Sequence, residues 1–169
     1  MTQKEFIEIL KKEKYSYEIQ GDKIIVTSKG NVYLSLHTSL PPGVVFRNKG
    51  SVYLNSLASI TPDVEFNNED AVYLESLTSL PHGMEFRNKG YVNLHALTSI
   101  PPDVVFRNEG DVYLDYLTSI PSGVVFRNGG DVNLESLIGG WLFKWKGNIE
   151  GIKSERLLNL MIKRGIFER

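Results

Sequence analysis

The sequence predicts a mainly β repeat solenoid with α/β elements at its ends. Three observations lead there. A phrase recurs every 20 residues, no unit gains or loses a residue, and apolar side chains keep to fixed columns within the phrase. One copy runs Gly110-Asp111-Val112-Tyr113-Leu114-Asp115-Tyr116-Leu117-Thr118-Ser119-Ile120-Pro121-Ser122-Gly123-Val124-Val125-Phe126-Arg127-Asn128. A coil stacked on its neighbours cannot take an extra residue without breaking the ladders above and below it. Constant unit length is therefore what stacking demands.

Taken in chain order, residues 1–28 read as a helix and a hairpin that close the first coil. Thr2-Gln3-Lys4-Glu5 is a capping box, with Thr2 at the N-cap and Glu5 reaching back. Phe6, Ile7 and Leu10 share one helical face, and the helix should run to about Glu13. Tyr15 to Ile19 and Lys23 to Thr27 flank Gln20-Gly21-Asp22, a hairpin signal.

Residues 29–138 carry five full repeats, starting at Lys29, Lys49, Glu69, Lys89 and Glu109, and a partial sixth that dissolves after Leu137. The first column is Val32, Val52, Val72, Val92, Val112 and Val132, and two residues on comes Leu34, Leu54, Leu74, Leu94, Leu114 and Leu134. The second half of each unit gives Val44, Val64, Met84, Val104 and Val124, then Phe46, Phe66, Phe86, Phe106 and Phe126. Both are period-2 patterns, so each coil should hold two short strands with these side chains inward. Leu57, Leu77, Leu97 and Leu117 form a further apolar column in which the first unit has His37.

The segments between strands read as corners. Pro41, Pro81, Pro101 and Pro121 cannot donate to an interior ladder and belong at a bend. Gly30, Gly50, Gly90, Gly110 and Gly130 are expected at positive φ. Asn48, Asn68, Asn88, Asn108 and Asn128 read as a ladder that satisfies corner backbone groups. Stacking at ~4.8 Å per coil would give a rod about 30 Å long.

Residues 139–169 leave the repeat. Trp141 and Trp145 read as a cover for the last coil or as a partner-binding anchor. Ser154 is placed to N-cap a helix to about Arg164, with Gly165 as its C-cap.

A step of five from Leu34 meets Ser39, Val44 and Lys49, which breaks a pentapeptide pattern, and 20 is not a multiple of a hexapeptide. Val72-Tyr73-Leu74 followed by Leu77-Thr78-Ser79-Leu80-Pro81 resembles the short bacterial type of leucine-rich repeat, over about residues 29 to 138. The Asn that usually follows the Leu-x-Leu strand in that family is absent, and leucines stand near its place. The resemblance implies a binding scaffold without catalysis, in which the outward positions of the first strand form the binding face.

Composition narrows the function. Formal net charge is −1, with 19 Lys and Arg against 20 Asp and Glu, which disfavours bulk electrostatic attraction to nucleic acid. There is no Cys, so thiolate metal sites, disulfides and Cys nucleophiles are excluded. No apolar run approaches membrane-helix length and no signal peptide is visible, so a cytoplasmic setting is expected, in a bacterial or phage-infected cell.

Outward columns are where a repeat protein can carry function. Tyr33, Tyr53, Tyr73, Asn93 and Tyr113 project from the first strand, beside Glu75, His95 and Asp115. Tyr and Asn are good contact residues, and an acidic margin adds charge specificity. The same tyrosines could instead serve only the strand ladder. Arg47, Arg87, Arg107 and Arg127 form a column on the second strand, interrupted by Asn67, with Glu65 and Glu85 near enough to relieve repulsion. That column would suit phosphates or an acidic partner. The three His occupy different columns, so no metal site is expected, and no phosphate loop or nucleophile motif points to catalysis or a cofactor. The sequence thus reads as a protein-binding scaffold, and a phage or mobile-element inhibitor of a host protein fits its size and scaffold. An RNA- or DNA-binding module and an oligomerising rod are the alternatives.

Overall fold

The structure is a computed structural model that describes residues 1–134 and 136. Glu135 and residues 137–169, with Trp141, Trp145 and the helix expected from Ser154, lie outside the described residues.

One helix, α1 (Gln3–Lys12), opens the chain. Its capping box is formed: the Glu5 backbone N–H donates to the Thr2 hydroxyl at 3.2 Å, and the Thr2 N–H donates to Glu5 Oε2 at 2.6 Å. Phe6 and Leu10 are fully buried in the common core. The hairpin follows as β1 (Tyr17–Gln20) and β2 (Lys23–Val26), turning through Gly21 at φ 62°.

The solenoid then alternates between two sheets. The first sheet takes β4 (Val44–Phe46), β6 (Glu65–Phe66), β8 (Glu85–Phe86), β10 (Val105–Phe106) and β12 (Val125–Phe126). The second takes β3 (Val32–Tyr33), β5 (Val52–Tyr53), β7 (Val72–Tyr73), β9 (Val92–Asn93), β11 (Val112–Tyr113) and β13 (Val132–Asn133). Every solenoid pairing is parallel and in register at the repeat length, as in Val52↔Val72 and Phe66↔Phe86. The hairpin joins this stack: β2 pairs parallel with β4, placing Ile24 beside Val44 and Val26 beside Phe46. The coil pattern therefore begins at Lys23, inside the segment whose sequence lacks the repeat phrase.

Between the sheets, the Val, Leu and Phe columns form one core. The five phenylalanines stack with ring centroids 5.0 to 5.6 Å apart and planes within 4° to 7° of parallel. Each ring adds a large buried area to the core. His37 is half-buried at the start of the leucine column.

The Asn column does the work expected of it. Asn88 is fully buried, and its Nδ2 donates to the carbonyls of Asp70 (3.1 Å), Gly90 (2.9 Å) and Tyr91 (3.2 Å). Asn48, Asn68, Asn108 and Asn128 repeat this pattern, each with one bond to the coil before it. Buried carbonyls at a corner need a donor, and the amide supplies it.

The glycine expectation needs correction. Gly30, Gly50, Gly90, Gly110 and Gly130 do not adopt positive φ; the solenoid glycines that do are Gly43, Gly83 and Gly123, at 77°, 73° and 97°. At Gly50, Gly90, Gly110 and Gly130 the reason for glycine is instead close approach. A β-carbon at Gly50 would lie 2.5 Å from the Asn31 backbone nitrogen and 2.6 Å from the Gly30 carbonyl carbon. The positive-φ corner alternates along the rod, because Asp63 and Asp103 occupy the equivalent place in intervening coils without positive φ.

Candidate functional site

The outer face of the second sheet carries an aromatic ladder. Parallel pairing in register places Tyr33, Tyr53 and Tyr73 directly over one another. Their rings stack at 4.7 and 4.4 Å, with planes 16° and 11° apart. Asn93 replaces the next tyrosine and would leave a gap two coils wide before Tyr113. Tyr91, two residues earlier in the chain, fills it. Its ring stands edge-on to Tyr73 at 5.2 Å and to Tyr113 at 5.7 Å. The column pattern alone did not reveal Tyr91, since it belongs to the position held by Ser51, Ala71 and Asp111 in other units. The signal available was compensation: the one tyrosine in that column sits in a unit whose ladder tyrosine is missing.

Hydroxyl contacts tie the ladder together. Asn31 Nδ2 donates to the Tyr33 hydroxyl at 3.0 Å, and the hydroxyls of Tyr73 and Tyr91 share a hydrogen bond. Contact with the neighbouring phenol raises the pKa of Tyr53 (through Tyr73) and of Tyr73 (through Tyr91), with burial adding to both. Tyr113 is also raised, chiefly by burial and then by the Asp111 carboxylate.

Beside the ladder runs a polar row. Glu75 accepts from Asn55 Nδ2 at 3.3 Å and from Asn93 Nδ2 at 3.2 Å. His95 Nδ1 lies 2.6 Å from Asp115 Oδ2, joining consecutive coils, while the His95 backbone N–H donates to Asn93 Oδ1 at 3.1 Å. Tyr116, unremarked in the sequence reading, packs its ring edge-to-face on His95 at 4.7 Å and is 54% exposed. The face thus brings together Tyr33, Tyr53, Tyr73, Asn93, Tyr113, Glu75, His95 and Asp115, and adds Tyr91 and Tyr116.

The arginines lie elsewhere. Arg47, Arg87, Arg107 and Arg127 follow the strands of the first sheet and are exposed. Glu85 sits between two of them, bonding Arg87 Nη2 at 2.6 Å and pairing with Arg107 Nε. Glu65 pairs instead with Lys23 at 2.6 Å, and that contact lowers its pKa. Where Asn67 interrupts the column there is a groove of about 410 Å³ between Glu65, Asn67, Glu85 and Arg87. With Glu85 engaging two arginines, the column offers a broken positive field, poorly matched to a phosphate backbone. Among the described residues, no group of three or more His, Asp or Glu is placed to hold a metal ion. No helix among them is long and apolar enough to cross a membrane.

The fold and this face define a short-coil β-solenoid with an aromatic and acidic strip along one sheet. Comparison with family models, curated proteins and solved structures finds no match for the chain.

Proposed function

We propose that the chain is a non-catalytic, rigid protein-binding scaffold whose contact surface is the outer face of the second sheet. One observation carries this reading: the continuous ladder Tyr33, Tyr53, Tyr73, Tyr91, Tyr113, held by stacked and edge-to-face ring contacts before any partner arrives. Aromatic side chains supply much of the contact energy at interfaces. Immobilising them in advance lowers the ordering cost of binding. The resemblance to short leucine-rich repeats supports the same face, since outward first-strand positions bind partners in that family. The proposal extends to a cytoplasmic setting and to a role as a phage or mobile-element inhibitor of a host protein, which rests on compactness and resemblance.

The test is recovery of partners from host lysate by the wild type and by a Tyr53→Ala/Tyr73→Ala/Tyr113→Ala variant. Loss of a specific protein from the variant supports the reading. Equal recovery by both removes this face as the binding surface.

A further inference from the structure

We propose that the segment seated on the second sheet is cationic, a stretch of partner protein bearing Lys or Arg side chains. This rests on the reading of that face as a binding surface and names the chemistry of its occupant.

Charge is segregated between the two sheets. Across the six second-sheet passes, residues 31–36, 51–56, 71–76, 91–96, 111–116 and 131–136 contain no Lys and no Arg. The described part of this face instead carries Glu75, Asp111, Asp115 and Asp131, with His95 as its one basic side chain. The exposed arginines stand on the first sheet.

Glu75 and Asp111 are held in place without being neutralised. Glu75 is exposed and bonds only the neutral amides of Asn55 and Asn93. Asp111 Oδ1 accepts the Asp131 backbone N–H at 2.7 Å, and Asp111 Oδ2 accepts the Tyr113 hydroxyl at 3.3 Å. Such bonds fix the position of the carboxylate and leave its charge in place. Only Asp115 has an ion-pair partner on this face, and that partner, His95, is cationic only when protonated.

The tyrosines add to this preference. Tyr33, Tyr53 and Tyr73 turn their ring faces toward one another, so a partner meets hydroxyl-bearing edges at the coil spacing. Phenol oxygens and carboxylates together form an acceptor-rich surface. Guanidinium and ammonium groups carry only donors, five and three respectively, and complement such a surface. An anionic partner, nucleic acid included, is repelled by it.

The probe is fluorescein-labelled octa-arginine at low salt, with octa-glutamate as the control and backbone amide chemical shifts as the map. The expected result is that octa-arginine binds, shifts amides around Tyr73–Glu75, Asn93–His95 and Asp111–Asp115, and weakens as salt is raised. Binding should weaken about tenfold in a Glu75→Gln/Asp111→Asn/Asp115→Asn chain. Asp111→Asn alone should give a smaller loss in the same direction, which covers the case of a poorly folded triple variant. Octa-arginine that fails to bind, maps to the first sheet, or binds these variants as well as the wild type overturns the proposal, as does tighter binding of octa-glutamate. The broader reading fails separately, through Tyr-independent lysate recovery. A partner that still requires Tyr53, Tyr73 and Tyr113 alongside inert octa-arginine would mean that the face binds other chemistry.

Discussion

A β-carbon on Gly110 would lie 2.6 Å from the Tyr91 backbone nitrogen, in the coil beneath it, and 2.7 Å from the Gly90 carbonyl carbon. Both obstacles are backbone, so neither can swing aside. Gly110→Ala should therefore destabilise the fold by about 2–4 kcal/mol through overpacking. Gly83 is the contrasting case. It has φ 73° and nothing within 4 Å of an added β-carbon, so Gly83→Ala should cost only about 1–2 kcal/mol, the penalty for left-handed backbone. Urea unfolding of the two variants measures the difference. Equal losses would show that close approach between coils is not what selects Gly110.

These two glycines also show what was legible in the sequence. The invariant valines, leucines and phenylalanines with constant unit length were enough to give stacked coils with two strands each, because side-chain direction alternates along a strand. The Asn column was readable because a buried amide at a corner has few other uses. The reason for the corner glycines was not readable, since strain and close approach both select glycine in a sequence. The hairpin strand β2 was readable, but its parallel pairing with β4 was not, because Lys23-Ile24-Ile25-Val26 lacks the repeat phrase although Ile24 and Val26 enter the common core. On the binding face, Tyr33, Tyr53 and Tyr73 followed from register, whereas Tyr91 reached the ladder from a different column. The pairing of His95 with Asp115 was not fixed by the sequence, because the column also puts a carboxylate, Glu75, one coil away on the other side of His95.

Removing an Asn from the buried ladder should be costly. Asn88→Ala leaves the carbonyls of Asp70, Gly90 and Tyr91 without their side-chain donor and opens a small void. A loss of about 2–4 kcal/mol is expected in denaturant unfolding. Asn88→Asp should be worse near neutral pH, because a carboxylate would face those three carbonyls, and it should recover part of the loss in acid as the carboxyl protonates. A pH-independent Asn88→Asp would contradict the donor role.

Tyr91 should tune the titration of Tyr73. The hydrogen bond between their hydroxyls is the largest cause of the raised Tyr73 pKa. Tyr91→Phe removes it and should lower the midpoint of one tyrosine in an ultraviolet titration, moving it toward the ordinary phenol range. An unchanged titration curve would mean that the two hydroxyls are not bonded in solution.

Glu65 and Lys23 give a pH dependence of definite sign. The hydrogen bond from Lys23 lowers the folded-state pKa of Glu65, so its stabilising effect is present above the unfolded carboxylate pKa and disappears as pH falls through the folded value. The pKa of Lys23 is raised by the same contact, so its share is present below the unfolded lysine pKa and disappears as pH rises through the folded one. Lys23 is exposed and Glu65 half-buried, so solvent screening keeps the effect small. Glu65→Gln should flatten both limbs of the melting temperature against pH relative to wild type. Curves of identical shape for the two proteins would argue against the pair.

The most direct measurement of the central claim is a calorimetric titration of the captured partner, once purified, against three chains. These are the wild type, the Tyr53→Ala/Tyr73→Ala/Tyr113→Ala variant and an Arg87→Ala/Arg107→Ala/Arg127→Ala variant. Binding through the second sheet predicts a loss of about a hundredfold or more for the tyrosine variant. It predicts a change within about threefold for the arginine variant. Full affinity in the tyrosine variant together with a large loss in the arginine variant would contradict it, and would move the binding surface to the first sheet.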